Sequence, residues 1–181
     1  MLDIGCVPGK FCIVGALMSE GRFTGVEPRH HLCDVARSVI GQAKLPSAEI
    51  IHGNATEIEF SNFDAFYPFN PFEENLETTL KIDATVPLSG DLYAKYAEHV
   101  ARQLALAALG TRLATYGGSC QEVPLRYECI ESSLDYGLKF WEKTKNHPVR
   151  TSSLEATSPN NISRFMSDAV RVSGLADSFF G

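Results

Sequence analysis

Residues 2–11 read Leu-Asp-Ile-Gly-Cys-Val-Pro-Gly-Lys-Phe. An apolar run carrying Asp3 ends at Gly5, and Gly9 stands where helical spacing begins. Glycines let the backbone approach a ligand closely, and the unpaired N–H groups at a helix start favour a negative group such as a carboxylate. Glu27 closes the next β-rich run, about 20 residues further on, where an α/β nucleotide site places the acid that accepts hydrogen bonds from ribose hydroxyls. A glycine bend and a sugar-binding acid at this separation would suit a ligand that joins a charged end to a ribose.

Two common phosphate patterns fail. From Gly5, G-x-G-x-x-G would need glycine at positions occupied by Val7 and Lys10, and no Gly-Lys-Ser/Thr occurs. Downstream, Gly53-Asn54-Ala55 and Phe69-Asn70-Pro71-Phe72 have turn chemistry. The second is read either as a strand-ending turn that packs Phe72 into the core or as a site element. Glu73 and Glu74 read as a solvated or helix-starting pair rather than a general base. His30, His31, His52, His99 and His147 lack metal-ligand spacing. Ser119 and Ser152 lack a nucleophile signature. Cys6, Cys12, Cys33, Cys120 and Cys129 form no C-x-x-C pair and read as buried free thiols.

The elements that must position these residues follow from pattern. Met1–Gly5 and Phe23–Glu27 read as strands, separated by a helix over Lys10–Glu20. A helix over Arg29–Gln42 has an apolar face of Leu32, Val35, Ala36, Val39 and Ile40. Ala48–His52 and Asn62–Phe69 are the next strands, the latter stopping short at Pro68. A helix over Asp91–Leu109 precedes a strand at Thr111–Tyr116. Two strands without an intervening helix, Tyr127–Ser132 and Leu138–Lys143, close the order, with a turn at Asp135-Tyr136-Gly137. Alternating strands and helices imply a parallel sheet covered on both faces. The final pair implies an antiparallel edge.

The chain has 181 residues, of which 44% are hydrophobic and 21% charged, so one domain with a sizeable core fits. No apolar run approaches the roughly 18 residues of a membrane span. The formal charge of -6 argues against a surface wholly given to nucleic acid and leaves a local basic patch open. The N-terminus is not a signal peptide, and the cysteine pattern is not a secreted disulfide scaffold, so a cytoplasmic protein is expected. The expected domain is 1–144. Residues 145–181 read as a polar tail, partly disordered, with one short helix at Phe165–Val172.

Asp3, Gly5 and Gly9 resemble motif one of the class I S-adenosylmethionine-dependent methyltransferases, D/E-x-G-x-G-x-G, with Val7 departing at the middle glycine. The resemblance covers roughly residues 1 to 143 in element order. It implies a three-layer Rossmann-like sandwich, with a mostly parallel seven-stranded sheet and an antiparallel C-terminal strand pair. It implies S-adenosyl-L-methionine as cofactor, with Asp3, Gly5, Cys6 and Gly9 at its methionine part and Glu27 at its ribose. Asn54 and Ala55 fall where the family reads adenine, although Asn54 serves equally well as a turn residue. Asn70 occupies the motif-four position beside the methyl donor. Asn70-Pro71-Phe72 partly matches the Asn/Asp-Pro-Pro-aromatic motif of amino-directed members, so the acceptor is expected to be a nitrogen of a protein or small molecule, with oxygen left open. The family's upstream helices are not in this chain, which implies a truncated chain or a partner that supplies the cover. Two rivals stand beside the enzyme: an inactive methyltransferase-like scaffold, favoured by Val7, and an NAD-linked oxidoreductase, disfavoured by the glycine spacing.

Overall fold

In Leu2-Asp3-Ile4, side chains point alternately to the two sides of a sheet, and each side is covered by a different set of helices. The computed structural model describes residues 1–76, 80–117, 123–133 and 137–144. The strands are β1 (Leu2–Ile4), β2 (Phe23–Glu27), β3 (Ala48–His52), β4 (Ala65–Pro68), β5 (Arg112–Tyr116), β6 (Tyr127–Ser132) and β7 (Leu138–Lys143). The helices are α1 (Lys10–Met18), α2 (His30–Ala43) and α3 (Gly90–Leu106). The expected turn at Asp135-Tyr136-Gly137 lies in part, and the expected tail with its short helix wholly, outside the described residues.

The sheet order is β3-β2-β1-β4-β5-β7-β6. Strands β1 to β5 pair in parallel, and β7 runs antiparallel between β5 and β6. This is the three-layer, mostly parallel sandwich with an antiparallel closing pair. On one side, Leu2, Ile4, Val26, Phe66 and Leu113 pack with Val100 and Leu104 of α3 and with Tyr127 and Trp141. On the other, Cys12 of α1 and Cys33 and Ala36 of α2 pack with Cys6 and Ile50. The chain winds outward through β2 and β3, then crosses back to place β4 on the far side of β1. That reversal makes the carboxyl ends of β1 and β4 the topological switch point, the place where ligands of open α/β sheets bind.

Three boundaries and the buried face of one helix differ from expectation, each for a physical reason. Helix α1 ends at Met18 because Ser19 turns extended and both its N–H and its hydroxyl donate to the Gly15 carbonyl. Strand β4 starts at Ala65 because Phe60–Asn62 forms a single 3₁₀ turn. Helix α3 stops at Leu106 because Lys143, from β7, donates its ammonium to the carbonyls of Ala105 and Ala107. In α2 the buried row is Cys33 and Ala36 with Ile40 half-buried, while Val35 and Val39 are exposed. At about 3.6 residues per turn, Val35 falls opposite Cys33. Cys129, expected buried, is exposed on edge strand β6.

Two glycines set how closely the first loop and helix lie on the sheet. A Cβ at Gly25 would stand 2.6 Å from Cys6 Sγ, so its absence lets the loop settle on β2. A Cβ at Gly15 would stand 2.4 Å from the Phe23 ring, so its absence lets α1 lie flat there.

Candidate functional site

The loop after β1 folds back on β2. The amides of Gly5 and Cys6 both donate to the Val26 carbonyl, at 3.0 and 3.1 Å, and Gly9 N–H donates to Cys6 O at 2.8 Å. Gly5, Val7 and Gly9 all have left-handed backbone, with φ of 76, 52 and 73°. These are the three glycine positions of the acid-x-Gly-x-Gly-x-Gly pattern. Val7 therefore keeps the backbone of a glycine while carrying a β-branched side chain, a combination that stores strain. Gly9 is fixed for a second reason: a Cβ there would lie 3.0 Å from both Ala36 Cβ and Ile50 Cδ1. Replacing Val7 by glycine is expected to stabilise the fold by ~1 kcal/mol, because relief of ~1–3 kcal/mol of strain exceeds the ~0.5–1 kcal/mol entropy cost of glycine. A rise of a few degrees in thermal unfolding would check this, and an unchanged midpoint would refute it.

The strain at Val7 accompanies a contact. Val7 N–H donates to Glu27 Oε2 at 3.1 Å, so the bend and the acid at the end of β2 meet directly. Glu27 is buried, with 1% exposure. Its Oε1 accepts from Arg29 N–H at 3.0 Å and from Arg29 Nη1 at 3.3 Å. It is thus not the solvated cap that its place before Pro28 would also allow.

Asp3 is buried on the α1 side of β1, in register with Gly25 and Tyr67. Burial pushes its carboxyl up to about 7; the Cys12 thiol, 3.8 Å from Oδ2, opposes this, and the charge of Glu27 adds to it. Burial and the nearby Asp3 charge push Tyr67 up to about 12. The Cys6 and Cys12 thiols are raised chiefly by burial, then by Asp3. Tyr67 stacks on Phe11 with ring centres 4.0 Å apart, and Phe69 continues the row to Tyr116 at 5.2 Å.

At the end of β3, Asn54 caps a short turn: its Oδ1 accepts from Thr56 N–H and the Thr56 hydroxyl, each at 2.9 Å, and its own N–H donates to Glu57. The Ala55 methyl belongs to the core cluster rather than to an open surface. At the end of β4, Asn70 has φ 42°. Among the described residues its buried Oδ1 has no hydrogen-bond partner, and it lies beside Gly117. Phe72 packs on Tyr96 and the core, as a strand-ending turn would have it. Glu73 and Glu74 start a single 3₁₀ turn.

Asp3, the bend from Gly5 to Gly9, Glu27, Asn54 and Asn70 therefore stand at or beside the carboxyl ends of β1 to β4, on one edge of the sheet. What sequence reasoning missed is Arg29, with 5% exposure, which binds Glu27, Glu74 and Asp83 together. Two of these acids, Glu74 and Asp83, lie 45 and 54 residues away, so no local spacing signals them.

Solved structures share this architecture. An RNA methyltransferase from Salinibacter ruber, in complex with S-adenosyl-L-homocysteine, superposes with a TM-score of 0.56 at 17% identity, over 84% of this chain and 85% of that one. TrmN from Thermus thermophilus gives 0.56 at 15% identity, over 78% of this chain and 43% of its own. A variant of MtNAS in complex with S-adenosylmethionine gives 0.56 at 15% identity, over 80% of this chain and 54% of its own. No protein-family model matches the chain, and no curated protein matches it. The chain has the fold of the class I S-adenosylmethionine-dependent methyltransferases. Among the described residues, no helix is long and apolar enough to cross a membrane.

Proposed function

We propose that the chain transfers a methyl group from S-adenosyl-L-methionine to a nitrogen acceptor. The observation that carries this reading is the 3.1 Å contact between the first loop and Glu27, which joins the two halves of an adenosyl site at one sheet edge. The residues fit the group. The bend holds left-handed backbone at Gly5, Val7 and Gly9, and Asn70 has a buried acceptor oxygen with no partner among the described residues.

When bound, the cofactor supplies an activated sulfonium methyl, so the protein's task is mainly to hold the acceptor in line and exclude water. The loop Gly5–Gly9, including Cys6, holds the methionine part, and Asp3 answers its amine with charge. Glu27 accepts from the ribose hydroxyls. Asn54, through its side-chain NH₂, and the backbone of Ala55 border the adenine. Asn70 Oδ1 accepts an N–H of the acceptor and so orients the nitrogen. The acceptor belongs to a protein or a small molecule. Free thiols at Cys6, Cys12 and Cys33 support a reducing, cytoplasmic setting.

Calorimetry with S-adenosylhomocysteine on the purified chain tests the reading. Saturable 1:1 binding is expected. Absence of binding would leave a scaffold with this architecture and no cofactor. An amine acceptor screen with a labelled methyl donor then tests the transfer.

A further inference from the structure

Arg29 follows Glu27 and Pro28 in sequence, yet its guanidinium reaches the connection between β4 and α3. Nη1 lies 3.3 Å from Glu27 Oε1, Nη2 lies 2.6 Å from Glu74 Oε2, and Nε lies 3.2 Å from Asp83 Oδ1. The two distant carboxylates also order their own segment. Glu74 Oε2 accepts from Ile82 N–H at 3.1 Å, and Asp83 Oδ1 accepts from Thr85 N–H at 2.8 Å and from its hydroxyl at 2.6 Å. His31 Nε2 lies 3.4 Å from Asp83 Oδ2. One cation therefore ties the tip of β2 to a segment that begins immediately after Asn70-Pro71-Phe72.

The acceptor positions on Glu27 make this tie more than structural. A carboxylate offers about four lone-pair sites, two on each oxygen. On Glu27, Oε1 has both engaged by Arg29, while Oε2 has one engaged by Val7. A pair of ribose hydroxyls donating one bond to each oxygen finds room at Oε2. At Oε1 it must take the place of Nη1, the longest of the guanidinium's three contacts.

We propose that Arg29 is a positioning residue that couples occupancy of Glu27 to the placement of the β4–α3 connection beside Asn70. The proposal rests on the adenosyl reading above. A ribose hydroxyl displaces Nη1, and the guanidinium redistributes onto Glu74 and Asp83. The amides of Ile82 and Thr85, which bond those carboxylates, register the change. Arginine suits this role because its rigid fork serves three carboxylates from three nitrogens, whereas a lysine offers one point charge.

Amide hydrogen exchange of the full chain, with and without saturating S-adenosylhomocysteine, tests the coupling. In the wild type, exchange at Ile82 and Thr85 is expected to change about fivefold or more on binding. Arg29→Lys is expected to bind the ligand and lose that response. Should Arg29→Lys fail to fold, Glu74→Gln is the second variant: it leaves the tip of β2 intact and should reduce the response at Ile82 while retaining it at Thr85. Binding with unchanged exchange at both amides overturns the coupling alone, as does a full response in Arg29→Lys or an undiminished one at Ile82 in Glu74→Gln. Absence of binding by the wild type overturns the adenosyl reading and the coupling together.

Discussion

Glu27→Gln is expected to weaken S-adenosylhomocysteine binding by about 10- to 150-fold, because hydrogen bonds to a charged acceptor contribute ~1.5–3 kcal/mol. The substitution keeps size and shape and removes the charge. A glutamine has one acceptor oxygen and an NH₂ that donates. Glu27 receives Val7 N–H on one oxygen and two Arg29 donors on the other. Whichever way the amide is turned, one side meets donor against donor. The fold suffers as well. Breaking a buried pair outright costs ~3–5 kcal/mol. Arg29 retains Glu74 and Asp83, so the loss should be nearer ~1–3 kcal/mol, as for a single charged hydrogen bond. A fall in unfolding temperature of roughly 2–4 °C per kcal/mol should accompany it. Titration well below the lower midpoint separates the two effects. Unchanged affinity in a folded variant would remove Glu27 from the site.

Much of the architecture was legible because its signals are local. Glycine bends, strand-length apolar runs and a closing pair without a helix give element order, and element order with the right-handed crossover rule leaves few sheet topologies. The differences at the end of α3 and on the face of α2 came from contacts made across the sheet. Nothing within α3 shows that Lys143 will take the carbonyls of its last turn, because that lysine is 36 residues from Ala107. Nothing within α2 shows that Cys33, rather than Val35, faces Ile50, because both are apolar and the winding fixes which one meets the sheet.

The site divides in the same way. Asp3, Gly5, Gly9 and Glu27 announce themselves by spacing, since a short β–α–β unit forces the bend and the next strand's tip together. Val7 shows why identity alone understates the motif. The residue is wrong for the pattern, and the backbone conformation is right for it. Asn54 and Asn70 were ambiguous because turn chemistry and ligand chemistry use the same side chain. For Asn54 the structure shows the cap directly, whereas Asn70 combines a turn backbone with a buried oxygen that has no partner among the described residues. Arg29 was invisible because its role is defined by two acids in another segment.

Cofactor affinity is expected to rise with pH up to about 7 and level off above it, and Asp3 is the reason. Its carboxyl is raised to about 7 by burial, against roughly 3.9 in an unfolded chain. Between about pH 4 and 7 the folded protein therefore holds a proton that the unfolded chain has released. The associated stability is fully present below about pH 4 and is lost as pH rises through 7, a change on the order of a few kcal/mol. A ligand ammonium beside Asp3 favours the ionised form, so binding below pH 7 must expel that proton, and affinity should climb by up to about tenfold per pH unit there. The thiols of Cys6 and Cys12, raised by burial, and Tyr67, raised to about 12, titrate above this window. Calorimetry in buffers of different ionisation enthalpy should detect the released proton at pH 6 and not at pH 8. Asp3→Asn should flatten both profiles, raising stability above pH 7 and removing the dependence of binding on pH. If the wild type bound with equal affinity across this range and released no proton, Asp3 would have no part in meeting the ligand's charge.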